Sequence, residues 1–178
     1  MPVKITYFVH GTTTDNEKHL ATGQQHGELS ELGKRQNEEL RETLKGRKFD
    51  VVYSSDLKRA VESAETVFPG REVKQDSRLR ECDYGDLTGG EWKSHERILS
   101  HQEEPFPNGE SYDDVTSRMR EFIAYLKENH DGERVAIMCH HAPQLSFEII
   151  VNNKNFKQAV AEDWRNTKSW QPGWEYEV

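Results

Sequence analysis

Cysteine is scarce in this sequence, and the two residues that occur, Cys82 and Cys139, stand far apart along the chain. Such a pair does not resemble the disulfide framework of a small secreted domain, so we expect two reduced thiols. No cysteine or histidine spacing matches a common zinc motif, and neither a metal nor a cofactor is predicted. The sequence begins without a charged segment followed by an apolar one, which indicates no secretory signal and a cytoplasmic location.

Long hydrophobic runs and excess positive charge are missing as well. No apolar run approaches the ~20 residues that a membrane-spanning helix needs, so no membrane partner is predicted. The formal net charge is -8, which argues against non-specific nucleic-acid binding and requires a locally basic pocket for any anionic ligand. No repeat or low-complexity linker is visible, and we expect a single domain over residues 1–178. The oligomeric state stays open.

Apolar runs typical of strands alternate with amphipathic patterns typical of helices. Strands are predicted at residues 3–9, 49–53, 72–75 and 134–139, and helices at about 30–45, 56–68, 111–130 and 143–151. This alternation predicts an α/β three-layer sandwich, in which helices cover both faces of a mostly parallel sheet. Residues 76–110 have weak periodicity and predict a long functional loop with one short helix near 91–99.

Two finer features are also predicted from local sequence. Ser55 or Asp56 is expected to cap the helix that contains Arg59. The tail alternates around Pro172 and Gly173, which predicts a C-terminal hairpin.

Two histidines stand where predicted strands end. His10 follows the first strand, and His140 follows the apolar strand at 134–139. The carboxyl ends of parallel strands are where α/β sheets place ligand sites, so the two histidines are expected to converge. A neutral imidazole nitrogen can accept a phosphoryl group, cations can bind the phosphoryl oxygens, and an acid can protonate the leaving oxygen. His10 fits the first role, and Arg59 with His140 fits the second. Glu81 fits the third, but the residues alone do not distinguish it from the nearby acids Glu72, Asp76, Asp83 and Asp86.

At these residues the chain resembles the histidine phosphatase superfamily, also called phosphoglycerate-mutase-like. The resemblance extends over roughly residues 3–150. The matching elements stand in the family's order: His10-Gly11 with Asn16 six residues after the histidine, Gly23 ahead of Leu29-Ser30-Glu31-Leu32-Gly33, Ser54 to Ala60, Leu79-Arg80-Glu81, Asn108 to Ser111, and Cys139-His140.

The resemblance implies a metal-independent phosphatase that acts on a small, soluble phosphomonoester through a phosphohistidine. It implies that His10 is the nucleophile, that Glu81 is the proton donor, and that His140 completes the catalytic set. The residues that it assigns to phosphate binding are Asn16, Arg59, His140, Gly11, Thr13 and Gly23.

The sequence departs from the family pattern next to both histidines. Val9 stands where the family has an arginine, and His141 replaces a glycine. We expect the loss of the arginine to lower activity, and His141, Lys18 or His26 could supply a substitute charge. A substrate pocket could be lined by Trp92, Trp164, Trp170 or Trp174, and Trp92 has the best claim because it lies in the Gly-rich loop region.

Three alternative functions stay open. The first is a weakened pseudophosphatase that serves as a phosphate-binding or protein-interaction module. The others are a phosphoglycerate mutase and a phosphohistidine-protein phosphatase.

Overall fold

A five-stranded sheet in the order β3-β2-β4-β1-β5 forms the centre of the molecule. The computed structural model describes residues 1–91 and 94–178, with side chains from residue 96 in the second range. The strands are β1 (Lys4–Val9), β2 (Val51–Ser54), β3 (Val73–Gln75), β4 (Arg134–Cys139) and β5 (Trp174–Glu177). The first four are parallel to one another, and β5 pairs with β1 in the antiparallel sense.

Helices cover both faces of this sheet, as the alternation of elements predicts. The helices are α1 (Thr14–Glu17), α2 (Glu31–Thr43), α3 (Lys58–Val67), α4 (Ser94–Ser100), α5 (Tyr112–Asn129), α6 (His141–Ile150), α7 (Phe156–Ala161) and α8 (Trp164–Thr167). Phe8 and Met138 join the core beneath α2 and α3, whereas Tyr7 and Ile137 join the core beneath α5 and α6. Neighbouring residues of a strand point to opposite faces, so each strand contributes to both cores. The α/β three-layer architecture is confirmed.

The long helices begin where the sequence places a capping residue. Ser30 Oγ accepts a hydrogen bond from the Gly33 amide at the start of α2. Ser111 and Asp114 form a reciprocal capping box at the start of α5. A side-chain oxygen at this position satisfies an amide that has no partner within the helix, so these caps stabilise the helix starts.

Two local predictions are wrong. Leu57 is the N-cap of α3 and provides no side-chain hydrogen bond, because Ser55 Oγ lies against His140 instead. The tail forms no hairpin, because residues 164–167 are helical and β5 pairs with the edge of β1. That pairing satisfies the backbone groups of the β1 edge and buries Tyr176, which a free hairpin could not do. Trp92 lies outside the described residues.

The register of β1 and β4 places the two strand-end histidines side by side. Val9 is paired with Cys139, the last residue of each strand, and the His10 amide donates to the Cys139 carbonyl at 3.1 Å. His10 and His140 therefore leave neighbouring strands at the same level. No helix among the described residues is long and apolar enough to cross a membrane.

Candidate active site

A cavity of about 360 Å³ opens at the carboxyl ends of β1 and β4. It is lined by Val9, His10, Thr12, Asn16, Leu20, Ala21, Thr22, Gly23, Arg59, Glu81, Tyr84, His141, Trp164 and Arg165. Three residues singled out from the sequence are not among those that line the cavity, namely Gly11, Thr13 and His140. A cavity of this volume suits a small molecule.

His10 presents one ring nitrogen to the cavity. Its Nδ1 lies 2.7 Å from the carbonyl oxygen of Gly11, so Nδ1 carries the hydrogen that this bond requires. Burial and the nearby charge of Arg59 lower the pKa of His10 to about 3. The ring is therefore neutral near pH 7, with a lone pair on Nε2, which accepts a hydrogen bond from Arg59 Nε at 3.3 Å. A neutral imidazole with an unprotonated nitrogen is what nucleophilic attack needs.

His140 lies beside His10 and is fully buried, with ring centroids 5.1 Å apart. Burial lowers its pKa well below the usual range, and the charge of Arg59 adds to this effect, so the ring is neutral. Ser55 Oγ accepts from the Leu57 amide, which leaves its hydroxyl hydrogen to donate to His140 Nε2 at 2.6 Å. The hydrogen of His140 is then on Nδ1, which has no hydrogen-bond partner within the described part of the chain.

Arg59 is buried, and the backbone of the 23–26 segment fixes its guanidinium. Nη1 donates to the carbonyl oxygens of Gln25 at 2.6 Å and His26 at 3.1 Å. Nη2 donates to the carbonyl oxygen of Gly23 at 2.8 Å. Gly23 has φ +55°, a conformation that glycine adopts without steric cost and that directs this carbonyl inward. The Nε edge faces His10, so the cation is held next to His10 Nε2 before any ligand arrives.

Glu81 is bound at the N-terminus of α6 and is only 7% exposed. Its Oε1 accepts hydrogen bonds from the amides of Cys82 and Ala142, both at 2.9 Å. Its Oε2 accepts one hydrogen bond, from the His141 amide at 3.1 Å. A carboxylate oxygen has two lone pairs, so Oε1 is saturated and Oε2 retains one site for a proton. Glu81 also lines the cavity, so a proton at that site would be next to a bound ligand.

Residues 11–16 form part of the rim of the cavity, and hydrogen bonds within the protein hold them in place. The Gly11 amide donates to Ser63 Oγ at 3.1 Å, and its carbonyl accepts from His10, so both of its backbone polar groups are used within the protein. A Cβ at Gly11 would lie 2.5 Å from the Gly33 carbonyl oxygen. Thr13 and Asn16 form a capping box, in which Asn16 Oδ1 accepts from the Thr13 amide at 3.0 Å. The side-chain amide nitrogen of Asn16 donates to no described residue, so it can meet a ligand in the cavity that Asn16 lines.

Comparison with known proteins identifies the family. A model of the histidine phosphatase superfamily, branch 1, matches residues 7–147. The chain belongs to this superfamily. It is 32% identical over 151 residues to phosphoglycerate mutase-like protein 4 of Arabidopsis thaliana, covering 77% of this chain and 66% of that protein. It is 34% identical over 152 residues to the metal-independent phosphoserine phosphatase of Arabidopsis thaliana, and this match covers 77% of this chain and 63% of that protein. The matches thus cover about two thirds of the length of these relatives.

A solved structure supports the same fold for this histidine phosphatase. The mycobacterial glucosyl-3-phosphoglycerate phosphatase in complex with VO3 superimposes with a TM-score of 0.75 at 28% identity. The superposition covers 89% of this chain and 86% of that chain. Among the described residues of this chain, no three His, Cys, Asp or Glu side chains converge in a way that could hold a metal ion.

The three candidates for a substitute charge differ in position. His141 lines the cavity, and its Nε2 lies 3.4 Å from Asp163 Oδ2. Lys18 is exposed at the end of α1 and does not line the cavity, and His26 Nδ1 accepts from the Lys58 amide instead. Position 9 stays apolar, since Val9 packs against the α5 and α6 core at the cavity wall.

Sequence reasoning missed Asp163 and Arg165 of this histidine phosphatase and named Trp164 only as one of four tryptophans that could line a pocket. Trp164 and Arg165, both in α8, line the cavity. The Asp163 carboxylate anchors this segment, and its Oδ1 accepts from the Arg165 amide at 2.9 Å. Burial alone would raise the pKa of Asp163, but the adjacent His141 and Arg165 hold it below its usual range. No motif surrounds these residues, and only their three-dimensional position reveals them.

Proposed function

We propose that this histidine phosphatase hydrolyses a small phosphomonoester without a metal ion, through a phosphoryl intermediate on His10. The enzyme class, a phosphoric monoester hydrolase, follows from the family and from relatives named as phosphatases. The observation that carries the proposal is the state of His10. Its Nδ1 is bonded to the Gly11 carbonyl at 2.7 Å, and its Nε2 faces Arg59 in the cavity.

The reaction has two steps. In the first, the Nε2 lone pair of His10 attacks phosphorus, the ester P–O bond breaks, and the leaving oxygen takes the proton from Glu81 Oε2. In the second, water attacks phosphorus, the N–P bond breaks, and inorganic phosphate leaves. The proton that water releases returns to Glu81, so the enzyme regains its starting state. The free lone-pair site on Oε2 supports this role for Glu81.

Three residues offer four polar donors to the phosphoryl oxygens in this proposal. Arg59 offers its Nε–H and the remaining Nη2–H, two parallel donors that match two phosphoryl oxygens. His140 offers Nδ1–H, a buried donor that lacks a partner among the described residues and gains one when an oxygen binds. Asn16 offers its amide nitrogen from the rim. Gly11, Thr13 and Gly23 act by holding His10, Asn16 and Arg59 in place.

The substrate is a small molecule, as the cavity of about 360 Å³ favours. We place the reaction in the cytoplasm, in accord with the two buried free thiols Cys82 and Cys139. We propose no role in nucleic-acid binding, because the net charge of -8 repels polyanions. The neutral His10, the fixed Arg59 and the retained Glu81 favour turnover over a binding module.

The decisive experiment is to trap the intermediate. A 32P-labelled phosphomonoester is mixed with the protein, the reaction is quenched with denaturant, and the protein is tested for acid-labile, base-stable label. We expect label on the natural protein and none on His10→Ala. The matched control is His19→Asn, which changes an exposed histidine at φ +56°, where asparagine is tolerated.

Four outcomes would contradict the proposal. Label on His140 would assign a different nucleophile. Turnover without label, under a quench faster than turnover, would exclude a covalent intermediate. Phosphate binding without turnover on any phosphomonoester would identify a pseudophosphatase, and transfer to a second substrate rather than to water would identify a mutase.

A further inference from the structure

The cavity carries little positive charge for a dianionic ligand. Arg59 is one cation, but three of its five N–H donors already bond carbonyl oxygens of the 23–26 segment. His10 and His140 are neutral, and the Glu81 side chain lines the same wall. A phosphoryl group spreads its negative charge over three oxygens in the transition state. The site therefore needs a second cation if it acts as proposed above, and the present inference rests on that function.

Arg165 is the other arginine in the wall of the cavity. Its guanidinium carbon lies 4.2 Å from the centre of the Trp164 ring, and its Nη1 lies 3.1 Å from Asp163 Oδ2. The Nε and Nη2 groups of Arg165 donate no hydrogen bond to any described residue. The side chain is 27% exposed, which is low for an arginine. Arg165 is thus held in place at the cavity with part of its donor set unused.

The support for Arg165 is rigid. Trp164 stacks on Trp174 of β5 at 5.7 Å, and its Nε1 donates to Gln144 of α6 at 3.1 Å. Asp163 also contacts His141, the first residue of α6. The segment that carries Arg165 is therefore attached both to the sheet edge and to the helix that holds Glu81. A guanidinium held in this way loses little freedom when it binds an anion.

Position 9 cannot provide this charge, because Val9 ends β1 beside His10 with an apolar side chain. His141 is a weaker candidate, because an imidazole is charged only when it is protonated, whereas the guanidinium of Arg165 keeps its charge, although both side chains face the Asp163 carboxylate. We propose that Arg165 is the second cation of the phosphoryl site and that it binds the transferring group together with Arg59. The C-terminal segment thereby supplies a charge that the end of β1 does not.

The first measurement compares Arg165→Ala with the natural protein. We expect kcat/KM for p-nitrophenyl phosphate and the affinity for vanadate both to fall, on the order of 10²-fold, because a donor to the transition state is lost. Arg165→Lys should retain part of both, since it keeps the charge but not the planar fork. The matched control is Arg120→Ala, which removes the same charge from an exposed position on α5. We expect Arg120→Ala to behave as the natural protein.

A second variant separates binding from anchoring. Val9→Arg introduced into Arg165→Ala should raise kcat/KM and vanadate affinity by clearly more than the roughly tenfold gain expected in the natural protein, because the new arginine beside His10 then replaces a charge that is lost. An Arg165 that merely anchored the C-terminal segment could not be replaced from position 9. A gain from Val9→Arg no larger than its gain in the natural protein, with both variants shown by thermal unfolding to be folded, would overturn the inference. Should Arg165→Ala not fold, Arg165→Gln takes its place in the same pair.

The experiments also distinguish a failure of the Arg165 inference from a failure of the proposed function. Unchanged vanadate affinity in Arg165→Ala, in an enzyme that loses turnover on His10→Ala, overturns the Arg165 inference alone. Should the natural protein show no turnover, calorimetric binding of inorganic phosphate replaces the kinetic measurement. Arg165→Ala must then weaken phosphate binding at least tenfold relative to Arg120→Ala, and equal affinities would again overturn the inference.

Discussion

Replacement of Glu81 by glutamine tests whether Glu81 is the proton donor. The hydrogen bonds of Glu81 show how much stability this replacement should cost. Glutamine has one side-chain oxygen, which can keep the hydrogen bonds to the Cys82 and Ala142 amides. The side-chain NH2 group of the glutamine then faces the backbone N–H of His141, so two donors meet where Glu81 Oε2 accepted a hydrogen bond at 3.1 Å. One hydrogen bond is lost and a buried donor is left without an acceptor, which costs about 1–3 kcal/mol of unfolding free energy.

The kinetic effect should depend on the leaving group. An alkyl phosphate releases an alkoxide that must be protonated, so we expect Glu81→Gln to lower its kcat/KM by about 10²- to 10⁴-fold. p-Nitrophenyl phosphate releases a stable phenolate that needs no proton, so the decrease in kcat/KM for this substrate should be far smaller. The assay is kcat/KM on both substrates for each protein, with thermal unfolding at the same pH to measure the structural cost.

The matched control is Asp83→Asn, two residues along the same segment. Asp83 accepts a hydrogen bond from the Gly85 amide at 2.9 Å and does not line the cavity. Its amide counterpart retains an oxygen for that bond, so we expect natural rates on both substrates. Equal losses on the two substrates for Glu81→Gln would refute the reasoning and assign Glu81 to the support of α6.

Two further predictions concern Val9 and His10. Val9→Arg in the natural protein should raise kcat/KM and tighten vanadate inhibition by about tenfold; a destabilised, inactive variant would show instead that the pocket is packed around an apolar residue. Should His141 supply part of the charge, His141→Gly should impair the natural protein and be tolerated beside Val9→Arg. The pKa of folded His10 is about 3 against 6.5 for an ordinary histidine, so the unfolded state binds the proton first as pH falls. The stability linked to a neutral His10 is therefore present above pH 6.5 and lost as pH falls toward 3. The free energy of unfolding, measured against pH over this range, should fall with a shallower slope in His10→Ala than in the natural protein. An unchanged slope would contradict this assignment.

The parts of the fold that follow from local patterns were predictable. Apolar periodicity placed β1 and β4, and Ser30 and Ser111 marked the starts of α2 and α5, because these effects act within a few residues. The convergence of His10 and His140 followed from the rule that parallel strands share a carboxyl edge. The roles of these residues stay predictions until the intermediate is trapped.

What could not be predicted depended on distant partners. Ser55 could cap α3 or bond His140, and only the packed structure shows that the histidine takes its hydroxyl group. The strand at Trp174–Glu177 could pair locally or with β1, and the open edge of β1 decided the outcome. Arg165 had no local signal, because its place beside the cavity depends on Asp163 and on the stacking of two tryptophans.

The pairing of β1 with β4 also bears on synthesis and folding of the chain. The two strands that carry His10 and His140 are separated by residues 11–133, and β5 joins β1 from the end of the chain. Contacts so distant in sequence form slowly, because a long segment must close before they stabilise anything. A ribosome-bound chain that stops before residue 134 has no partner for the edge of β1. Activity should therefore first appear only after β4 leaves the ribosome, and that exposed edge makes truncated chains prone to aggregation.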